Sequence, residues 1–118
     1  IAALPSVALD LKMPGDPRVE RVCRTLRDEP GDGRTLDDWA RDSGASSRTL
    51  ARLFVKETGL SFADWRQQAR LLAAMARLAA GQPITRIALD LGYDSPSAFT
   101  AMFRRALGAP PSRYLARP

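Results

Sequence analysis

The sequence predicts an all-α protein of about seven helices, in which a long linker helix joins two helix-turn-helix lobes. Three observations support this prediction. One pattern of small, glycine and apolar residues occurs twice; serine, threonine or aspartate stands where most helices would start; and glycine or proline stands where they would end. Within each repeat, apolar residues recur at i, i+3 and i+4, which is the spacing of a helix packed on one side.

The repeated pattern is that of a helix-turn-helix motif. A small residue, Ala40 or Ala88, stands where two helices would touch, and four positions later Gly44 or Gly92 can turn the chain with positive φ. The two copies are offset by 48 residues up to Gly92 and by 49 after it. The matched positions are Leu36, Trp39, Ala40, Gly44, Leu50, Phe54, Gly59 and Trp65 in the first copy, and Ile84, Ile87, Ala88, Gly92, Phe99, Phe103, Gly108 and Tyr114 in the second. We expect Trp65 and Tyr114 to anchor the core of their lobes.

Lobe one, about residues 16–60, is predicted to contain three helices. Asp16 can cap the first helix, with Pro17 at its first position. Thr35 and Asp38 form a capping-box-like start for the second helix. The first predicted helix starts after Asp16 and ends at Pro30 and Gly31, and its apolar stripe is Val19, Val22, Cys23 and Leu26. The second helix is predicted from Thr35 to near Ser43, and the third from about Ser47 to Thr58.

The linker helix is predicted at about residues 61–80, with Ser61 at its start and Gly81 as its stop. About 19 residues at about 1.5 Å each make a rod close to 30 Å long. Its apolar residues include Phe62, Trp65, Ala69, Leu72, Ala73, Ala76 and Leu78. Lobe two, about residues 81–118, is predicted to hold helices at Pro83 to Leu91 and Pro96 to Leu107, and a helical turn from Pro111 to about Ala116.

Residues 1–15 are expected to be a linker or the remnant of an upstream effector domain. Pro5, Pro14 and Gly15 surround the alternating apolar residues of this stretch, which is typical of an extended segment. The domain itself is then predicted to cover residues 16–118.

Composition excludes several kinds of site. The chain has no histidine and one cysteine, so a tetrahedral zinc site, a histidine-based triad and an internal disulfide lack the necessary residues, and we expect no cofactor, no metal and no enzyme activity. Cys23 is expected to pack in the core. No apolar run reaches the roughly 18 to 20 residues that span a bilayer. We therefore expect a cytoplasmic protein without a membrane partner.

The charge favours an acidic partner. The formal net charge is +5, and 16 of the 18 basic residues are arginine, whose planar fork matches phosphate and guanine edges. On a helical wheel, Leu50, Leu53 and Phe54 of the third helix face inward, which leaves Arg48 and Arg52 together on the outer edge.

The same wheel turns Ser97, Thr100, Ala101 and Arg104 outward in the corresponding helix of lobe two. A helix with short or arginine side chains outside fits the major groove. A rod of about 30 Å is close to the roughly 34 Å repeat of B-DNA, so the helices at about 47–58 and 96–107 could enter successive major grooves. The sequence therefore predicts binding to double-stranded DNA.

Several motifs resemble the C-terminal DNA-binding domain of the AraC/XylS family of bacterial transcription regulators. The resemblance runs from about Pro17 to Leu115. Its motifs are Ser-Gly-Ala-Ser-Ser-Arg-Thr-Leu-Ala-Arg-Leu-Phe at 43–54, Glu-Thr-Gly at 57–59, Arg70-Leu71 followed by Ala74, Gly-Gln-Pro-Ile at 81–84, the long signature at 87–104 and Gly-Ala-Pro-Pro-Ser-Arg-Tyr at 108–114. The signature at 87–104 reads Ile-Ala-Leu-Asp-Leu-Gly-Tyr-Asp-Ser-Pro-Ser-Ala-Phe-Thr-Ala-Met-Phe-Arg.

The resemblance implies a homeodomain-like duplication that binds promoter DNA as an activator or repressor. It places base reading on Arg48, Ala51 and Arg52 of the first recognition helix and on Ser97, Thr100 and Ala101 of the second. The expected phosphate contacts are Lys56, Arg86, Ser95, Arg104 and Arg105, with Arg113 as a further candidate. The expected partners are promoter DNA, RNA polymerase, and a small-molecule effector bound by an N-terminal domain outside this chain; the chain itself is expected to be monomeric.

Two alternatives belong to other functional classes. The chain could be a helical protein-interaction module whose basic face meets an acidic protein. It could also be the module of an alkyl-repair protein, which would require Cys23 to accept a methyl group.

Overall fold

The computed structural model describes residues 14–115, which form six α-helices and one 3-10 helix. The elements are α1 (Pro17–Asp28), α2 (Leu36–Ser43), α3 (Ser47–Thr58), α4 (Phe62–Ala79), α5 (Ile84–Asp90), α6 (Pro96–Leu107) and the 3-10 helix (Pro111–Tyr114). The all-α prediction is confirmed, with six α-helices and a 3-10 turn for the expected seven helices. Most of the predicted linker, residues 1–13, and Ala116 at the predicted end of the last turn lie outside the described residues.

Side-chain caps set the helix starts where the sequence predicts them. The Asp16 carboxylate accepts a hydrogen bond from the backbone N–H of Arg18 at the start of α1. At the start of α2, the Thr35 hydroxyl and the Asp38 carboxylate each accept from the backbone N–H of the other residue. These bonds satisfy backbone donors that the first turn of a helix cannot pair internally.

Lobe one is the unit formed by α1, α2, α3 and the first half of α4 around one apolar core. Its largest buried side chains are Trp39, Phe54 and Trp65, and the Phe54 ring meets the rings of Phe62 and Trp65 edge to face, at 5.7 and 6.5 Å between centroids. Cys23 is fully buried in the same core. Packing against this core orients α3 so that one of its faces is buried and the opposite face is exposed to solvent.

Lobe two is the unit formed by the second half of α4 with α5, α6 and the 3-10 helix. Four aromatic rings run through it in sequence, from Tyr93 to Phe99, Phe103 and Tyr114, with centroids 5.4 to 5.8 Å apart. Phe99 and Phe103 are fully buried, and Tyr114 covers their end as expected. Lobe two therefore has a core of its own.

The linker helix α4 buries two different faces, which a single apolar stripe does not describe. Phe62, Trp65 and Ala69 face lobe one, whereas the second half buries Leu71, Ala74 and Leu78 toward lobe two. At about 100° per residue these faces lie nearly opposite one another. Of the apolar residues expected along this helix, Leu72 and Ala73 are consequently only half-buried and Ala76 is exposed.

Candidate nucleic-acid interface

The outer edge of α3 carries two arginines that the fold leaves free. The Ser46 hydroxyl caps the helix by accepting from the backbone N–H of Thr49 at 3.1 Å, and the full burial of Leu50 and Phe54 fixes its inner face. Arg48 and Arg52 are exposed on the other side and, within residues 14–115, form no ion pair or side-chain hydrogen bond. Ala51 lies half-buried between them. The edge thus offers two unoccupied guanidinium groups one turn apart.

The outer edge of α6 is short and uncharged through most of its length. Ser95 caps this helix by accepting from the backbone N–H of Ala98 at 3.1 Å, so its side chain already has a structural role. Ser97 and Ala101 are exposed and Thr100 is half-buried. The small side chains allow another molecule to approach the α6 backbone closely.

Basic residues follow each of these edges. Lys56 lies in the last turn of α3, and Arg104 and Arg105 lie in the last turn of α6; all three are exposed and have no ion-pair partner within the described part of the chain. Arg113, on the 3-10 helix, is exposed as well. These positions add positive charge at the ends of the two edges.

Arg86 differs from those residues because an acid of its own helix is nearby. Its Nε atom lies 3.7 Å from the Asp90 carboxylate, which also accepts a 2.8 Å bond from Arg77. The Arg86 side chain is nevertheless 74% exposed. The Asp90 carboxylate offsets part of the Arg86 charge, whereas Lys56 and Arg104 have no ion-pair partner within residues 14–115.

The helices that carry the two edges contain few acidic residues, although Asp37 accepts a hydrogen bond from the Ser47 hydroxyl at the start of α3 and the exposed Asp94 precedes the α6 cap. Helix α6 contains no aspartate or glutamate, and α3 contains only Glu57, which accepts a bond from the Asp16 backbone N–H at 2.7 Å. In the α1–α2 loop, Arg34 forms a 2.8 Å ion pair with Asp32, and the hydrogen bonds from Arg34 lower the pKa of that carboxyl group. Many arginines are thus neutralised by local acids, whereas those of α3 and α6 remain available.

The buried thiol does not match a methyl acceptor. Cys23 has no exposed surface, and desolvation, followed by the nearby charge of Glu20, raises its pKa to about 12. A nucleophilic cysteine needs the opposite environment, because the thiolate is the reactive form. Residues 14–115 also contain no group of three or more acidic or cysteine side chains arranged to hold a metal ion.

One set of contacts was not expected from the sequence. Arg70 of α4 is buried, and it donates from Nε to the Pro30 carbonyl at 2.8 Å and from Nη2 to the Asp32 carbonyl at 3.3 Å. Its guanidinium also lies 5.2 Å from the centre of the Tyr93 ring in lobe two. The sequence feature that could have revealed these contacts is an arginine between Ala69 and Leu71, two positions that are both buried.

Comparison with known proteins gives consistent results. A helix-turn-helix domain family model matches residues 39–117. The HTH-type transcriptional regulator NimR of Escherichia coli strain K12 is 42% identical over 113 residues, which is 96% of this chain and 41% of NimR. The regulatory protein SoxS of the same strain is 40% identical over 80 residues, covering 67% of this chain and 75% of SoxS.

A solved structure of similar fold contains DNA. The DNA-binding domain of AdpA, a global transcriptional factor, was crystallised with a target DNA; it superposes with a TM-score of 0.76 at 28% identity and covers 85% of this chain and 90% of that domain. The chain spans about two fifths of the length of NimR.

Among the helices of residues 14–115, none has the length and apolar character needed to cross a membrane.

Proposed function

The chain belongs to the AraC/XylS family of helix-turn-helix transcription regulators, and from this premise we propose that α3 and α6 enter successive major grooves on one face of promoter DNA. Sequence-specific DNA binding in transcription regulation is the function of the domain, and the family is not one of enzymes. The proposal concerns how this particular chain reads its site.

The observation that carries the proposal is the unpaired arginine edge of α3. Arginine can donate to guanine O6 and N7 at once, which makes it the commonest specific base contact in the major groove. Arg48 and Arg52 are exposed on a helix whose other face is held by Leu50 and Phe54, so their backbone positions are fixed before DNA arrives. A donor on a fixed helix backbone loses less conformational freedom on binding than one on a mobile loop.

The remaining positions are assigned by their chemistry. Ala51, Ser97, Thr100 and Ala101 line the same edges and offer methyl or hydroxyl groups, which suit thymine methyls and other base edges. Lys56, Arg86, Ser95, Arg104 and Arg105 contact phosphates, with Arg113 as a further contact. Phosphate contacts fix position along the duplex and supply affinity without reading sequence.

The dimensions of the domain support simultaneous binding by both helices. Successive major grooves on one face of B-DNA recur at roughly 34 Å. The 18 residues of α4 give a connector of about 27 Å at 1.5 Å per residue. One polypeptide can therefore place two helices in two neighbouring grooves, as a two-fold dimer does.

The wider biological role is also a proposal. Residues 1–15 connect this domain, residues 16–118, to an upstream domain that binds a small-molecule effector; within it, lobe one covers about 16–60, the linker helix about 61–80 and lobe two about 81–118. The isolated domain is a monomer that needs no cofactor. It acts in the bacterial cytoplasm and contacts RNA polymerase at the promoter.

Selection of binding sites from a random duplex pool tests the groove assignment. We expect the purified domain to enrich a site with two conserved blocks about ten base pairs apart, since successive major grooves recur at that interval on one face. Methylation of guanine N7 in the first block should block binding if Arg48 or Arg52 holds a guanine. Enrichment of a single short block would contradict the two-groove proposal, and no enrichment would contradict sequence reading altogether.

A further inference from the structure

The two lobes touch backbone to backbone beside the middle of α4. The α1–α2 loop, residues 29–35, meets the α5–α6 turn, residues 91–95, at Gly31 and Gly92. A Cβ atom at Gly31 would lie 2.2 Å from the Asp90 carbonyl oxygen, and one at Gly92 would lie 2.9 Å from the Gly31 carbonyl oxygen. This approach is possible only because both residues lack a side chain.

Arg70 fills the space beside this contact. Its two hydrogen bonds end on carbonyls of the α1–α2 loop, and its Nη2 lies 2.9 Å from where a Cβ at Gly92 would be. Its guanidinium also faces the Tyr93 ring. Each group that Arg70 meets is a carbonyl or an aromatic ring, so its contacts depend on geometry and would be lost if either lobe moved.

The position of Arg70 on α4 explains why it reaches both lobes. The two buried faces of α4 are nearly opposite, and at about 100° per residue Arg66 and Arg70 project from the edge between them. Arg66 donates to the Arg34 carbonyl at 3.2 Å on the lobe-one side. The edge of α4 that carries both arginines is therefore the edge against which the lobes converge.

We propose that Gly31, Gly92 and Arg70 form an interlobe junction that sets the spacing of α3 and α6, and so determines which separation of two DNA half-sites the domain accepts. This inference rests on the two-groove binding proposed above. A methyl group at Gly31 requires a shift of at least about 1.2 Å before it reaches an ordinary contact distance from the Asp90 oxygen. Because the junction lies near the middle of α4, such a shift is transmitted to both recognition helices.

The α1–α2 loop offers a matched pair of substitutions. Gly31→Ala introduces the clash, whereas Gly33→Ala introduces the same methyl group two residues later, where no atom lies within 4 Å. Neither glycine has a positive φ, so neither substitution strains the backbone. Arg70→Lys is the second test variant, because it keeps the charge but cannot hold two carbonyls with a planar fork.

The binding experiment uses duplexes that carry the selected site, the same site with its spacer lengthened or shortened by one base pair, and the first half-site alone. For Gly31→Ala we expect a loss of about tenfold on the selected site, comparable to one mismatched base pair, with half-site affinity nearly unchanged. Discrimination among spacers should weaken in Gly31→Ala and in Arg70→Lys but not in Gly33→Ala. A smaller folded fraction would reduce binding to all duplexes equally, so the spacer preference isolates positioning from stability.

A second measurement needs no DNA. Spin labels placed by Val55→Cys and Leu89→Cys, in a Cys23→Ala background, report the distance between the lobes from side chains that are 53% and 63% exposed. The junction predicts a shifted mean distance in Gly31→Ala, a broader distance distribution in Arg70→Lys, and neither change in Gly33→Ala.

The outcomes separate the two proposals. If Gly31→Ala and Arg70→Lys keep the spacer preference and the distance distribution of Gly33→Ala, the junction does not set the spacing. If Gly31→Ala fails to fold, Arg70→Lys decides alone. If the wild-type domain shows no preference for any spacer but the distances change as expected, the junction still fixes the lobes relative to one another, whereas the two-groove proposal and the spacing role that rests on it both fail.

Discussion

Replacement of Arg52 by alanine separates DNA reading from folding. Arg52 is exposed, and within residues 14–115 it has no internal partner that the substitution would remove. The free energy of unfolding should therefore change by no more than about 0.5 kcal/mol, as for an ordinary surface position. A bidentate arginine–guanine pair contributes about 1 to 3 kcal/mol of discrimination, so the dissociation constant for the selected site should rise about 5- to 150-fold.

Fluorescence anisotropy with a labelled duplex measures this change. The wild type and Arg52→Ala are compared on the selected site and on duplexes in which each base pair is varied in turn. The variant should lose its preference at one base pair of the first block and keep it elsewhere. Arg48→Ala should act in the same way at a neighbouring base pair.

Arg24→Ala is the charge-matched control. Its side chain, 63% exposed on α1, forms an ion pair with Glu20, and its loss removes the same formal charge. It should weaken all duplexes slightly and equally. If Arg52→Ala weakens every duplex by the same factor, as the control does, then Arg52 does not read a base and the argument from the exposed α3 edge is refuted.

Four further predictions address the phosphate contacts and the fold. Arg104→Ala should lower binding to all sequences alike and reduce the slope of log affinity against log salt by about 0.9, as expected for one lost phosphate contact. Phe103→Ala removes a fully buried ring and should destabilise lobe two by about 3 to 5 kcal/mol. Because both tryptophans lie in lobe one, part of the helical circular dichroism should then be lost at lower urea concentrations than those at which tryptophan emission changes. Coincident unfolding curves would contradict separate cores. The Cys23 thiol should resist a thiol reagent at pH 8 until the protein unfolds, because burial raises its pKa to about 12; rapid modification of the native protein would contradict this. Hydrogen bonds from Arg34 lower the pKa of Asp32 in the folded state, so the contribution of this carboxylate to stability is present above its unfolded pKa of about 3.9 and is lost as pH falls through the lower native pKa. In urea titrations, the free energy of unfolding of Asp32→Asn should therefore fall less steeply with decreasing pH than that of the wild type. An equal fall in both proteins would contradict the assignment.

The local elements could be predicted from the sequence because their signals are local. Ser46, Ser61 and Gly44 each act within a few residues: the serines cap the following helices, and Gly44 ends α2 with a φ of 75°. The i, i+3, i+4 stripes of α3 and α6 also point to the buried faces that the structure shows. For these helices, one repeated pattern was sufficient to identify the outer edges.

The course of α4 and the contact between the lobes could not be predicted in the same way. Two half-stripes on opposite faces of one helix resemble a continuous apolar run, and that run includes positions such as Ala76 that neither lobe buries. Arg70 meets carbonyls about 40 residues earlier in the chain, and no local pattern encodes such a pairing. The sequence likewise predicts Gly31 only as the residue that ends the first helix, whereas the structure shows that Gly31 also allows the lobes to touch.

A crystal structure of residues 16–118 with the selected duplex tests the central claim most directly. The account predicts that α3 and α6 lie in successive major grooves on one face of the DNA, with Arg48 or Arg52 within hydrogen-bond distance of guanine O6 and N7. A complex in which only one of the two helices enters a groove, or in which both arginines point away from the bases, would contradict it.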